Sequence, residues 1–144
     1  MSDDRRRVPC GPARFVAEGA ILSVPIIPAF WIEDDAIGTV KVRGALIARR
    51  LGALYAYANV CRHIPLTLDL GDGEVAARDG RHFLCHHHGA RYRIEDGGCA
   101  SGPCDGDSLV KLEIEAESLR SGDLVLILPP APAARARVPE EPGA

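Results

Sequence analysis

Aromatic residues are scarce in this chain: three Phe, three Tyr and one Trp, or 5% of the residues. Stacking platforms for single-stranded nucleic acid need more than that. An excess of basic charge is also missing, with 17 Lys and Arg against 20 Asp and Glu and a formal net charge of −3. A general nucleic-acid binder needs a basic surface, so no nucleic-acid partner is expected. Nowhere is there an uncharged apolar run of about 18 residues, the length that spans a bilayer. The nearest is GAILSVPIIPAFWI, 14 residues from Gly19 to Ile32, bounded by Glu18 and Glu33 and interrupted by Pro25 and Pro28. It reads as a buried or edge strand with a Pro-rich turn, and no membrane partner is expected. Arg5, Arg6 and Arg7 precede Val8-Pro9-Cys10-Gly11-Pro12 with no small-residue cleavage site, so a cytoplasmic location is expected over twin-arginine export. Repeats with a period of about 20–50 residues are absent.

What the chain does have is turn chemistry and apolar residues. Fifteen Gly and eleven Pro among 144 residues rule out a helical bundle and suit short strands joined by turns. A hydrophobic fraction of 47% is enough for one core. Gly38 to Arg49 (GTVKVRGALIAR) alternates and then runs apolar; Leu54 to Val60 (LYAYANV) is strand-like, and the two pair as a hairpin through residues 50–53. Val75 to Arg78 and His82 to Leu84 flank Asp79-Gly80 as a second, short hairpin. Ala90 to Ile94, Val110 to Ile114 and Asp123 to Leu128 complete the strands, with Ser121-Gly122-Asp123 as a turn and a possible helical turn over Glu115 to Arg120. The expected fold is all-β, an antiparallel sandwich or barrel. Residues 1–12 read as a flexible N-terminal segment, 13–128 as the folded domain, and the Pro/Ala-rich residues 129–144 as a disordered tail. Trp31 is expected in the core.

Five cysteines and five histidines carry the chemistry. Cys61-Arg62-His63 is followed, after 21 residues, by Cys85-His86-His87-His88. That is C-x-H and then C-x-x-H, each in a loop that leaves a strand. Two such loops at one sheet edge offer two thiolates and two imidazoles. Thiolates are soft, strongly donating ligands, while neutral imidazole is a weaker donor. The set suits a tetrahedral zinc or a two-iron cluster whose second iron takes both histidines.

The stretches CRHIPLTLDLG (61–71) and CHHHGARY (85–92), with GGCASGPCDGDSL extending the second, resemble the two cluster-binding boxes of small bacterial Rieske [2Fe–2S] proteins. The resemblance covers about Gly38 to Leu128. It implies an antiparallel β fold with a small cluster-binding subdomain. It further implies one [2Fe–2S] cluster per chain, with Cys61 and Cys85 on the buried iron and His63 and His88 on the outer one. His86 and His87 are then solvent-facing spacers, and His82 an exposed strand residue. The boxes lie further apart than is commonest in the family, and His86 stands where a Pro is frequent. High-potential members have an additional bridging cysteine in each box; Pro65 or Leu66 and His87 occupy those places here. Without that bridge, and with Ala90 where a Ser hydroxyl would donate, the potential is expected near the low end of the Rieske range, roughly −150 mV.

Cys99 and Cys104 are expected as reduced structural thiols, as is usual in the cytosol, and Cys10 as incidental. The implied function is one-electron transfer without a substrate site. In it the chain is a ferredoxin component between a flavin reductase and a terminal oxygenase. The alternatives are a small Rieske subunit or redox sensor of a larger complex, and a zinc-binding interaction module.

Overall fold

The computed structural model describes residues 6–12, 16–34, 38–61, 67–69, 72–87, 89–102, 106–116 and 123–129. Among them are nine strands and no helix, hence no helix long and apolar enough to cross a membrane. In chain order the strands are β1 (Arg6–Pro12), β2 (Ile21–Asp34), β3 (Gly38–Arg50), β4 (Ala53–Ala58), β5 (His82–Leu84), β6 (Arg91–Arg93), β7 (Cys99–Ser101), β8 (Lys111–Ala116) and β9 (Asp123–Leu128). Six form an antiparallel sheet in the order β1-β9-β8-β4-β3-β2. The Arg6 guanidinium on one edge strand donates to the Pro28 carbonyl on the other at 2.6 Å, so the sheet curls into a nearly closed barrel. The remaining three make a small sheet, β5-β6-β7.

Strand β3 explains how the two sheets stack. Side chains alternate between the faces of a strand, yet residues 44–48 are all buried. Ala45 and Ile47 enter the barrel core with Ala56, Ala58, Leu112, Leu124, Leu126 and Leu128. Leu46 and Ala48 point the other way, into a second core with Tyr57, Phe83, Tyr92 and Ile94. A strand covered on both faces reads as a continuous apolar run, which is the pattern of GALIA. The Tyr57 hydroxyl donates to the Ile94 carbonyl at 2.6 Å, and its ring meets Phe83 edge-on at 5.6 Å. Burial pushes the Tyr57 hydroxyl well above the ordinary tyrosine range, which keeps it a donor. Full burial of Phe83 contributes about 1.5–3 kcal/mol to this junction.

The expected all-β architecture and both hairpins are present, the second reduced to an isolated bridge between Ala76 and Phe83. Two expectations are corrected. Residues 6–12 are not part of a flexible segment but form β1 on β9. Val8 and Cys10 pack against the barrel core while Arg7 and Pro9 face out, and prolines are tolerated because β1 is an edge strand. Trp31 is only half-buried, since Phe30 and Ile32 take the inward positions on either side of it. Residues 99–101 add the short strand β7; three residues joined to β6 through an irregular register give no alternation to read. The turn at 121–122, most of the helical turn at 115–120 and all but the first residue of the tail lie outside the described residues, and Glu115 and Ala116 belong to β8.

Candidate metal centre

Cys61 follows the end of β4 and Cys85 the end of β5. Both are fully buried, both belong to the second core, and neither is in a disulfide. The Cys85 amide donates to the Ala90 carbonyl at 2.8 Å, and the Gly89 amide to the Cys85 carbonyl at 2.9 Å, closing a tight turn over 85–90. The two boxes are tied directly: the His86 amide donates to the Leu68 carbonyl at 2.8 Å. Tyr92, wholly buried in β6, places its hydroxyl 3.5 Å from the Cys61 sulfur. Ala90 is equally buried and its side chain offers no donor.

His63 and His88 lie outside the described residues. Among the described residues no three Cys, His, Asp or Glu side chains converge as a metal site. His86 is exposed, as expected of a spacer. His87 is not solvent-facing: it is half-buried, and its Nε2 is enclosed without a hydrogen-bond partner. His82 is partly covered, its Nδ1 2.7 Å from Asp79. The Asp79 carboxyl is held below its usual range by the Arg81 amide and then by His82 and Arg91. Cys99 is disulfide-bonded, against the expectation of two reduced thiols. Gly102, just after β7, is at φ +96°; Cys104 lies outside the described residues.

Two residues that sequence reasoning passed over complete the surroundings. Asn59 is buried; its Oδ1 accepts from the Leu68 amide at 2.8 Å and its Nδ2 donates to Asp69 Oδ1 at 3.2 Å. Asp69, also buried, accepts from the Gly73 amide through Oδ2 at 3.0 Å. A polar Asn closing the otherwise apolar run LYAYANV was the available signal.

Two buried thiols outside any disulfide, on two loops bonded to each other above a shared core, supply the soft half of an iron–sulfur ligand set. Fold and site together define a small all-β electron-transfer domain. The family model for the Rieske [2Fe-2S] domain matches residues 15–119, more than half of the chain, and the protein belongs to that family. The family's cofactor is a [2Fe–2S] cluster, and the chain is an electron carrier of the Rieske type.

Solved structures of similar fold include the terminal oxygenase of carbazole 1,9a-dioxygenase from Novosphingobium sp. KA1. It is 21% identical with a TM-score of 0.61, over 90% of this chain and 32% of that one. A chain of the reduced complex between oxygenase and ferredoxin in carbazole 1,9a-dioxygenase is 20% identical with a TM-score of 0.59, over 90% and 31%. A chain from the complex of reduced oxygenase and oxidized ferredoxin of carbazole 1,9a-dioxygenase is 21% identical with a TM-score of 0.58, over 84% of this chain and 92% of that one. The chain thus spans about a third of the first two and nearly all of the last. No curated protein matches it in sequence.

Proposed function

We propose that this protein is a ferredoxin-type, non-catalytic carrier of the cytoplasm that accepts electrons from a flavin reductase and passes them to a terminal oxygenase. Its proposed ligands are Cys61 and Cys85 to one iron and His63 and His88 to the other. The observation that carries this reading is the fully buried pair Cys61 and Cys85, on loops joined by the His86–Leu68 bond. When bound, the cluster takes up and releases one electron at a time. The chain's own part is to exclude water from the cysteines and to hold both loops still, so that little rearranges when charge changes. The near-complete overlap with a small chain from an oxygenase–ferredoxin complex supports the carrier role. Purified anaerobically, the protein is expected to contain about two irons and two acid-labile sulfides per chain. It should also mediate electron flow from a flavin reductase to an oxygenase. Stoichiometric zinc without iron, from iron-replete cells, overturns the assignment in favour of a zinc module. A cluster that no reductase can reduce points instead to a subunit or sensor.

The hydroxyl of Tyr92 beside the Cys61 sulfur gives a second test. A donor towards a ligand sulfur stabilises the more electron-rich reduced state and raises the potential. One hydrogen bond of about 1 kcal/mol corresponds to about 40 mV for a one-electron couple. Tyr92→Phe is expected to lower the potential by about that amount, and Ala90→Ser to raise it. Protein-film voltammetry reads both, and a wild-type value well above about +100 mV, in the upper Rieske range, excludes the low-potential role.

A further inference from the structure

We infer that Asn59 and Asp69 are positioning residues that lock the two cysteine loops together, and that the buried charge of Asp69 holds the cluster potential down; the inference rests on the ligand assignment proposed above. Asn59 stands two residues before Cys61, at the end of the outgoing limb of the first box. Its Oδ1 accepts from the Leu68 amide on the returning limb. The Leu68 carbonyl in turn accepts from His86, the residue after Cys85. One buried amide therefore sets the spacing of the first limb pair and, through a single residue, the seat of the second box. Asp69 orients that amide by accepting from its Nδ2, while the Gly73 amide holds the other carboxylate oxygen. The Thr67 hydroxyl donates to the Asp69 carbonyl at 3.1 Å, so the returning limb is also braced from within.

Both Asp69 oxygens receive N–H donors, the arrangement that an ionised carboxylate takes. Its residual exposure of 8% keeps that carboxylate largely out of bulk solvent. A fixed negative charge opposes the arrival of an electron nearby. Its removal is expected to favour the reduced state; a tenfold change in the one-electron equilibrium is about 59 mV.

The test uses the full chain carrying its cluster, as wild type and as Asp69→Asn, Asp69→Ser, Asn59→Ala and Glu74→Gln. Iron content, reduction potential and the rate of iron loss to a chelator are measured for each. Asp69→Asn keeps its iron and its potential rises by about 59 mV, a tenfold shift. Glu74→Gln, at an exposed carboxylate of the same loop, shifts it by less than a third of that. Asn59→Ala loses iron about tenfold faster, as expected when a residue supporting a metal ligand is removed. The inference is overturned if the Asp69→Asn potential moves no more than that of Glu74→Gln, if Asn59→Ala releases iron at the wild-type rate, or if neither neutral Asp69 variant retains iron, since Asp69 is then only structural. A wild type that itself binds no iron fails the Rieske assignment instead, and that outcome is visible before any variant is made.

Discussion

Serine at position 61 or 85 is expected to strip the protein of iron while leaving its barrel folded. The exchange is nearly isosteric, so the packing around two fully buried side chains changes little. The donor changes completely: a hydroxyl is harder, far less acidic and stays protonated where a thiol yields a thiolate. Loss of a residue that merely supports a ligand already costs about 10–100-fold in metal affinity. Loss of a ligand should therefore reduce bound iron by at least about tenfold. Iron assay and the visible spectrum measure this, and thermal unfolding confirms that the fold survives. Cys10→Ser is the control, because Cys10 packs against the barrel core and not the core that holds the other two. His88→Ala should behave like the cysteine variants, whereas His86→Ala should keep the spectrum, its side chain being exposed. His87→Ala should keep it too; a cluster lost there but retained in His88→Ala moves the ligand register by one residue.

Local patterns were legible in this sequence, and long-range partnerships were not. The hairpin of β3 and β4, the clean alternation of β8 and the two cysteine boxes depend on residues close in the chain. So does the double burial of β3, already present in the shift from VKVR to GALIA. Strand β1 escaped because two arginines and two prolines hide a two-residue apolar alternation whose partner strand, β9, is at the other end of the domain. Asn59 and Asp69 escaped for a related reason. They are separated by ten positions and a first-box loop, and each alone looks like ordinary turn chemistry. The enclosure of the His87 Nε2 was not legible either, because spacing within one motif does not encode which atoms cover a side chain. The disulfide at Cys99 was not legible either, because composition alone pointed to the cytosolic norm of free thiols.

The backbone at Gly102 carries the second large effect. Gly102 sits at φ +96°, where a side chain is strained, and a Cβ placed there would lie 2.9 Å from Ala90 Cα and 3.3 Å from both Ala90 N and Gly89 O. All three are backbone atoms, so no flexible side chain can swing aside. Ala90 cannot retreat freely either, because its carbonyl holds the Cys85 amide. Gly102→Ala therefore combines backbone strain of about 1–3 kcal/mol with an overpacking cost of about 1–3 kcal/mol. Against a total stability of about 5–15 kcal/mol, the expected loss of about 4 kcal/mol lowers the melting temperature by roughly 10–15 °C. The displacement also runs into the second box, so iron should be lost well before the barrel unfolds. Gly106→Ala separates the two causes: its φ is +85°, yet a Cβ there meets nothing within 4 Å. That variant should lose only the strain component and keep its iron on heating to the wild-type range. Equal effects from the two substitutions, in melting temperature and in iron retention, would show that the contact with Ala90 contributes nothing to holding Cys85 in place.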